Sequence, residues 1–422
     1  MVKSVSRSTR ITLTSRVVSR MEFEFATTVV DEASAHILVP TIGPSDKHLD
    51  YLLSRSPVFY NPRMKMNRDM AVLALRVFGR GQTEGLSICE PMSGTGVRAI
   101  RMAKEVEKTE KVIIGDLSPT AVRLASRNVE LNGLSGIVRV RNLEANLLLT
   151  LHSSPGQRFD YVDLDPFGSP ASFLDSAVRA LKRRGLIGVT ATDMAPLCGA
   201  HPQPCLRKYG GSPLHTEYCR EVALRLLLGA LVSASARGDR AARIVFSCSL
   251  DHYVRAYAVL EHRSVEASKA FRDMGYILHC PKCLDRRVIQ DIREIGSAKC
   301  KECGGTMLIG GPMWIGLLSD PSFCKEMMRE AELCGMIDKR LQQLLRLIHD
   351  ESTYGPTFFR VDGVADLLNL PSAPLNQVLE GLREEGYSAC RTHFHASGVK
   401  TDASISVLKR ILWEQRARGL GG

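Results

Sequence analysis

Val162-Asp163-Leu164-Asp165-Pro166-Phe167-Gly168-Ser169-Pro170 is the stretch around which this chain is organised. It follows Phe159-Asp160-Tyr161, a β-rich, half-apolar approach, and precedes an amphipathic run over residues 171–182. That order puts two carboxylates and a Pro-Phe-Gly at the C-terminal tip of a strand, where open α/β sheets place their ligands. An Asp-Pro-Phe tip suits chemistry on an exocyclic amine. The Asp165 carboxylate accepts one N–H, and the Pro166 carbonyl accepts the other. Two acceptors pull the nitrogen toward sp³ geometry and free its lone pair, an electrostatic effect aimed at the transition state. Phe167 offers a face for a planar base. Taken alone, the tetrapeptide also fits an ordinary Asp-Pro turn. The residues before it decide the matter.

Upstream, strands and helices alternate. Leu86–Glu90 reads as a strand and 94–107 as a helix. Strands follow at 111–116, 137–141, 159–164 and 186–191, with helices at 119–132 and 171–183 between them. Pro119 near a first turn and Asn132-Gly133 at the end are ordinary helix punctuation. A long helix over 214–236 and a strand pair at 243–249 and 254–260 complete the pattern. The alternation predicts an α/β fold, a Rossmann-like, mostly parallel, doubly wound sheet. Two short strands over 24–40 and a loop over 57–69 feeding a helix lie ahead of it. After Glu261 the pattern changes to a cysteine cluster and then to helices at 323–334, 339–350, 363–370 and 375–385. A β segment at 387–395 and a closing helix at 404–415 follow. This second part reads as α+β and winged-helix-like.

With 422 residues the chain holds two or three domains and buries a sizeable core. A formal charge of +11 and a pI near 9.1 favour a polyanionic partner. No apolar run reaches membrane-spanning length. Residues 1–20 are rich in Arg, Ser and Thr and carry no acid, a basic extension expected to be disordered, and Met21 is an alternative start.

Glu90-Pro91-Met92-Ser93-Gly94-Thr95-Gly96 ends the first strand. Its small residues let backbone approach a ligand, and the next helix presents free N–H groups. Asp116, 22 residues beyond Gly94, stands at the tip of the second strand, where a carboxylate accepts both hydroxyls of a ribose. NAD fits this pair too, since Ala99 takes the place of a third glycine. Glu90 and the Asp165 tip suit S-adenosylmethionine better, because it carries an amino acid in place of a pyrophosphate. Glu144 and Ala145, after the third strand, fall where an adenine amine is gripped. Arg63 and Arg98 are candidates for the cofactor carboxylate, which a guanidinium fork matches bidentately.

Cys280-Pro281-Lys282-Cys283 and Cys300-Lys301-Glu302-Cys303 form two Cys-x₂-Cys knuckles 16 residues apart. The spacing fits a closed Zn²⁺ site with four thiolates and no open position, hence a structural metal and a reducing compartment. Arg286, Arg287 and Arg293 between the knuckles are candidates for phosphate contacts. So are Arg179, Lys182, Arg183 and Arg184, and Arg207 and Lys208 beside Tyr209. The turn-rich segment 190–202 is expected to be a loop on the ligand edge.

Together these residues resemble the tRNA (guanine-26 N2) dimethyltransferase family. The resemblance runs from about Glu22 to near the end. It is carried by Phe59-Tyr60-Asn61-Pro62-Arg63-Met64, Ser93-Gly94-Thr95-Gly96-Val97-Arg98, the Asp163–Pro170 stretch, Gly188-Val189-Thr190-Ala191-Thr192-Asp193, Pro196-Leu197-Cys198-Gly199-Ala200-His201-Pro202, Tyr354-Gly355-Pro356 and Thr392-His393-Phe394. The resemblance implies a class I S-adenosylmethionine-dependent methyltransferase domain at 21–264 and a family-specific, tRNA-binding domain at 265–422; the zinc expected there rests on the cysteine spacing, since some family members lack the knuckles. It implies cofactor contacts at Arg63, Arg98, Asp116, Glu144 and Ala145, and a catalytic Asp165 that receives the guanine amine beside Pro166 and Phe167. It further implies a cytoplasmic, membrane-free enzyme, with a monomer favoured. The alternatives are an exocyclic-amine methyltransferase on another nucleic acid, a zinc-bearing RNA-binding protein with a degenerate methyltransferase domain, and a dehydrogenase.

Overall fold

The computed structural model describes residues 23–41, 55–262, 264–336 and 338–419; the basic extension and the alternative start at Met21 lie outside them. A hairpin of β1 (Thr27–Glu32) and β2 (Ala35–Pro40) precedes helix α1 (Lys65–Arg80). The central sheet then forms from β3 (Leu86–Glu90), β4 (Thr109–Asp116), β5 (Val138–Asn142), β6 (Phe159–Leu164), β7 (Leu181–Ala191), β8 (Arg240–Leu250) and β9 (Tyr253–His262). Their order is β5-β4-β3-β6-β7-β9-β8. The pairs from β5 to β7 are parallel, and β9 runs antiparallel to both neighbours. The strand order reverses between β3 and β6, which makes their tips the switch point where a ligand crevice opens.

Strand periodicity splits the core in two. Ile113, Val162, Leu164 and Ile187 face one side of the sheet, and Val112, Ile114, Tyr161 and Leu186 the other. Helix α2 (Val97–Glu105) and α1 cover the second face, and α3 (Pro119–Leu131) packs on that side through Ala125 and Val129. The next two helices are α4 (Ala145–Leu151) and α5 (Leu174–Ala180). On the first face lies α8 (Cys219–Ala236), apolar nearly all round because it is covered twice. Its outer side meets strand β12 (Leu308–Trp314), and a Cβ at Gly229 would press on Trp314 N at 3.2 Å.

Strands β10 (Met274–His279), β11 (Arg286–Ile289) and β12 form a three-stranded antiparallel sheet after helix α9 (Ser264–Arg272). Helices α10 (Pro321–Leu333) and α11 (Lys339–Glu351) return to α1, and their Met327, Leu341 and Leu345 join the core of Met70 and Leu73. The chain ends with β13 (Phe359–Arg360), α12 (Val361–Leu367), α13 (Leu375–Glu384), β14 (Ala389–Arg391), β15 (Gly398–Thr401) and α14 (Ile405–Gly419). The three strands pair in the order β13-β15-β14 around a core of Val364, Val378, Leu382 and Leu408.

The expected helix over 171–183 is shorter. After a 3₁₀ turn at Ala171–Phe173, α5 stops at Ala180 and β7 starts at once. Arg240 Nη1 takes the carbonyls of Val178 and Leu181 at 2.6 and 2.9 Å, which caps the helix end. The register then slips between Phe159↔Leu181 and Tyr161↔Leu186, with Arg184 at φ +61° absorbing the slip. Leu174, Ala177, Val178 and Leu181 share a helical period, which is why the run read on too far. The expected helix 94–107 starts only at Val97, and that over 214–236 only at Cys219. Segment 190–202, expected as a loop, leads through two short helices, α6 (Met194–Leu197) and α7 (Pro202–Tyr209). Pro202 at the first turn and Gly210 at φ +75° bound α7.

The terminal unit is tied to the sheet by buried charge. Lys400 Nζ on β15 lies 3.0 Å from Glu221 Oε2 on α8 and donates to the Gly355 carbonyl at 3.1 Å. Glu221 Oε1 accepts from Arg225 Nε and from the Thr357 N–H, and Arg225 donates to the carbonyls of Trp314 and Gly316. Burial pushes the Glu221 carboxyl up, but Lys400 and Arg225 more than offset it and hold it at about 2. Removing one partner leaves the other charged and buried. Lys400→Ala is therefore expected to cost about 3–5 kcal/mol, read by chemical denaturation. A loss within ordinary surface scatter would remove this tie from the account.

Candidate functional site

The site is built on the switch point. Leaving β3, Gly94 and Gly96 take left-handed φ values of +52° and +78°. A side chain would also be tight there, at Gly94 against the Phe59 carbonyl (3.1 Å) and at Gly96 against Ile114 (3.3 Å). Asp116 at the tip of β4 fixes the loop: Oδ2 accepts from Gly94 N at 3.0 Å and Oδ1 from Ser118 N at 2.9 Å. The hydroxyls of Ser93 and Thr95 in this turn are buried and have no hydrogen-bond partner among the described residues. Orphaned polar atoms around a glycine turn and a half-buried carboxylate fit a polar, nucleoside-bearing cofactor.

Glu144 is the N-cap of α4, two residues beyond the partner of Asp116 in β5, and its carboxylate accepts from Leu147 N at 2.9 Å. Ala145 is the buried first residue of that helix. Leu117, next to Asp116, is 73% exposed, an apolar surface along the same edge that the sequence reading missed. Arg63 is exposed in a 3₁₀ turn, Pro62–Met64, that Asn61 caps by accepting from the Arg63 N–H at 2.9 Å.

Arg98 lies deeper than an open cofactor clamp. Its side chain is 3% exposed. Nη1 donates to Asn67 Oδ1 at 2.7 Å, Nη2 binds Asp165, and Nε lies 3.3 Å from Glu90 Oε1 and 3.6 Å from Asp163 Oδ1. Asp163 in turn pairs with Arg255 at 2.5 Å, and Arg255 donates to Tyr257 Oη and Thr190 Oγ1. Five ionisable groups thus run from β9 to the β6 tip. Burial pushes the Asp163 carboxyl up, and Arg255 and Arg98 more than reverse it. Burial pushes Glu90 up to about 8; Arg98 opposes, Asp163 and Asp165 add to the rise, and the Ala99 N–H opposes. Arg255 and Asn67 were missed at the sequence level. A lone arginine in the apolar strand Tyr253-Val254-Arg255-Ala256-Tyr257 was the available clue.

Asp165 and Phe167 stand at the β6 tip. Phe167 is 74% exposed, and the Phe59 ring meets it edge-on at 4.5 Å and 82°. Pro166 between them is buried. The arrangement sets a carboxylate and an exposed aromatic ring at the switch point.

Two sets of basic residues lie elsewhere than expected. Arg179, Lys182, Arg183 and Arg184 sit where β7 begins, at the edge of the sheet opposite the strand tips, and Lys182 pairs with Asp160 at 2.8 Å. Arg286 is buried between the rings of Tyr218 and Phe359, 4.1 and 4.3 Å from their centroids, and binds Glu217 and the Phe358 carbonyl. It staples two units and is closed to phosphates. Arg293 is exposed and paired with Asp291, and Arg287 donates to the Ile295 carbonyl.

Cys280, Cys283, Cys300 and Cys303 bring their sulfurs within 4.8 Å of one another. The pairs 280–303 and 283–300 are each 3.5 Å apart. Four thiolates at about 2.3 Å from a central Zn²⁺ lie near this separation, so the set fits a tetrahedral ion.

The comparisons bear on this geometry. A family model described as N2,N2-dimethylguanosine tRNA methyltransferase matches residues 35–413. A tRNA (guanine(26)-N(2))-dimethyltransferase of Methanosphaera stadtmanae is 35% identical over 396 residues, 94% of this chain and 99% of that one. A tRNA (guanine(26)-N(2)/guanine(27)-N(2))-dimethyltransferase of Aquifex aeolicus is 35% identical over 91% of this chain and 95% of its own. The structure of Trm1 from Pyrococcus horikoshii with S-adenosyl-L-methionine superposes with a TM-score of 0.78 at 33% identity, covering 91% of this chain and 99% of that one.

The buried Glu90 carboxyl gives a pH test. Its folded value lies above its unfolded one, so protonation favours the folded state. That stabilisation is full below about 4.5 and is lost as pH rises through about 8. Glu90→Gln is expected to flatten the fall in melting temperature over this window relative to the unsubstituted protein. Parallel curves would contradict the assignment.

Proposed function

The chain belongs to the N2,N2-dimethylguanosine tRNA methyltransferase family, and on that premise we propose that it transfers methyl groups from S-adenosylmethionine to the exocyclic N2 amine of guanine at position 26 of tRNA, giving N2-methyl- and then N2,N2-dimethylguanosine. The observation that carries the reading is Asp165 at the β6 tip beside an exposed Phe167, across the switch point from the glycine loop.

S-adenosylmethionine supplies an electrophilic methyl group when bound. Asp116 would accept its ribose hydroxyls, Glu144 and the Ala145 N–H would meet its adenine edge, and the exposed Arg63 would answer its carboxylate, whereas Arg98, expected to share that task, is buried and taken up by Asn67 and Asp165. The target guanine leaves the stack and lies against Phe167. Asp165 and the Pro166 carbonyl accept the two N2 hydrogens and aim the lone pair at the methyl group. One N2 proton then leaves through Asp165 or water. After the first transfer the amine keeps a single hydrogen, and the pocket must accept an N-methyl group beside it.

In this reading residues 21–264 perform the chemistry and 265–422 engage tRNA, with a winged-helix-like arrangement confined to the stretch from α11 onward. The order helix, strand, helix, helix, strand, strand from α11 to β15 supports it. The four cysteines hold a structural Zn²⁺ with no position left for substrate. The knuckles brace that unit: Glu302 accepts from Ser406 Oγ on α14 at 2.6 Å, and Leu284 packs against its core. Among the described residues no helix is long and apolar enough to cross a membrane. A cytoplasmic site of action and a monomer belong to this same reading.

Asp165→Ala is expected to remove most turnover, on the order of a hundredfold or more, while S-adenosylhomocysteine still raises the melting temperature. Loss of that thermal shift would overturn the division between catalysis and cofactor binding. Cys280→Ser is expected to lower bound zinc and melting temperature together. Unchanged zinc and stability would remove the metal from the account.

A further inference from the structure

We propose that Thr192 is a positioning residue for the transfer reaction, fixing the Pro166 carbonyl against the substrate amine. The inference rests on the amine-binding role proposed above. Thr192 follows β7 and grips the catalytic loop from its neighbouring strand. Its Oγ1 accepts from the Gly168 N–H at 2.7 Å, and its own N–H donates to the Gly168 carbonyl at 2.9 Å. The loop therefore has two anchors. Asp165 is held by Arg98, and Gly168 is held on both its backbone groups by Thr192. Between them lie only Pro166, whose ring fixes φ, and Phe167. The Gly168 anchor thus limits how far the chain that carries the Pro166 carbonyl can turn.

Gly168 makes the grip possible. It sits at φ +78°, with open space where a side chain would go, so backbone conformation and not crowding demands glycine. Thr192 is only half-buried, and its Oγ1 and N–H are spent on Gly168, whereas the glycine loop is held by Asp116. Its effect on the cofactor is therefore expected to be small. Losing the Oγ1 acceptor orphans the Gly168 N–H and loosens the loop exit. A carbonyl displaced by a fraction of an ångström no longer holds the amine in line with the methyl group.

The test compares Thr192→Val, which keeps shape and removes the acceptor, with Thr192→Ser, which keeps the acceptor. Steady-state methyl transfer to a tRNA transcript is followed with both. Thr192→Val is expected to lower kcat on the order of tenfold or more, with KM for S-adenosylmethionine within about twofold, and Thr192→Ser to restore kcat. A Thr192→Val kcat within twofold of the unsubstituted enzyme overturns the proposal. So does an equal loss in Thr192→Ser, or a loss that appears in KM for the cofactor. An unsubstituted enzyme inactive on tRNA would instead defeat the functional reading itself.

Discussion

The pairing of Arg98 with Asp165 is the contact on which the site depends. Asp165 ends a strand at the surface, where nothing in the strand itself would hold a carboxylate in one orientation. Arg98 reaches it from a neighbouring helix, and Arg98 is aimed by Asn67, Glu90 and Asp163. Asp163 is aimed by Arg255, two strands away. Burying such a chain costs several kcal/mol per ion, and its mutual attraction need not exceed that cost, so stability alone is a poor reason for it. Its geometry gives a better one: each group fixes the direction of the next, ending at the Asp165 carboxylate. The sheet is shaped to admit it. A Cβ at Gly188 would lie 2.6 Å from Tyr161 Oη and 2.9 Å from Arg255 Nη2.

The second constraint is the seam between the central sheet and the knuckle and terminal units. Helix α8 is buried on both sides, so its polar groups must find partners inside. Glu221 and Arg225 do so by taking Lys400, Thr357 and the carbonyls of Trp314 and Gly316 at the end of β12. Arg286, flanked by Tyr218 and Phe359, closes the same seam from the knuckle sheet. His393 on the terminal unit reaches further, accepting the Ser249 N–H of β8 at 3.0 Å while Glu351 holds its other nitrogen. Three separate polar contacts hold the terminal unit in one orientation against the domain that carries Asp165.

Much of this was legible before any coordinates. The alternation of strands and helices pointed to the parallel sheet, because both faces of its strands are apolar. Gly94, Gly96 and Asp116 stood out because a left-handed turn and the strand-tip carboxylate that holds it each require a narrow choice of residue, and the four cysteines, which the fold does bring together, stood out by their Cys-x₂-Cys spacing. What escaped was set by tertiary contact. The end of α5 depends on Arg240, some sixty residues away, and periodicity carries no trace of it. Arg286 looked like a phosphate ligand because sequence shows charge and not burial. Phe59 was visible as part of a family-like stretch, but its place against Phe167, with its carbonyl close over the Gly94 turn, is a tertiary contact that sequence does not show. Sequence named Arg98 and Asp165 separately; only the fold shows them to be partners.

The most direct measurement is methyl transfer from labelled S-adenosylmethionine to unmodified tRNA transcripts, followed by nucleoside analysis. The account predicts N2,N2-dimethylguanosine, lost when the guanine at position 26 is replaced. Incorporation into a different nucleoside, or no incorporation with the cofactor still bound, would contradict it.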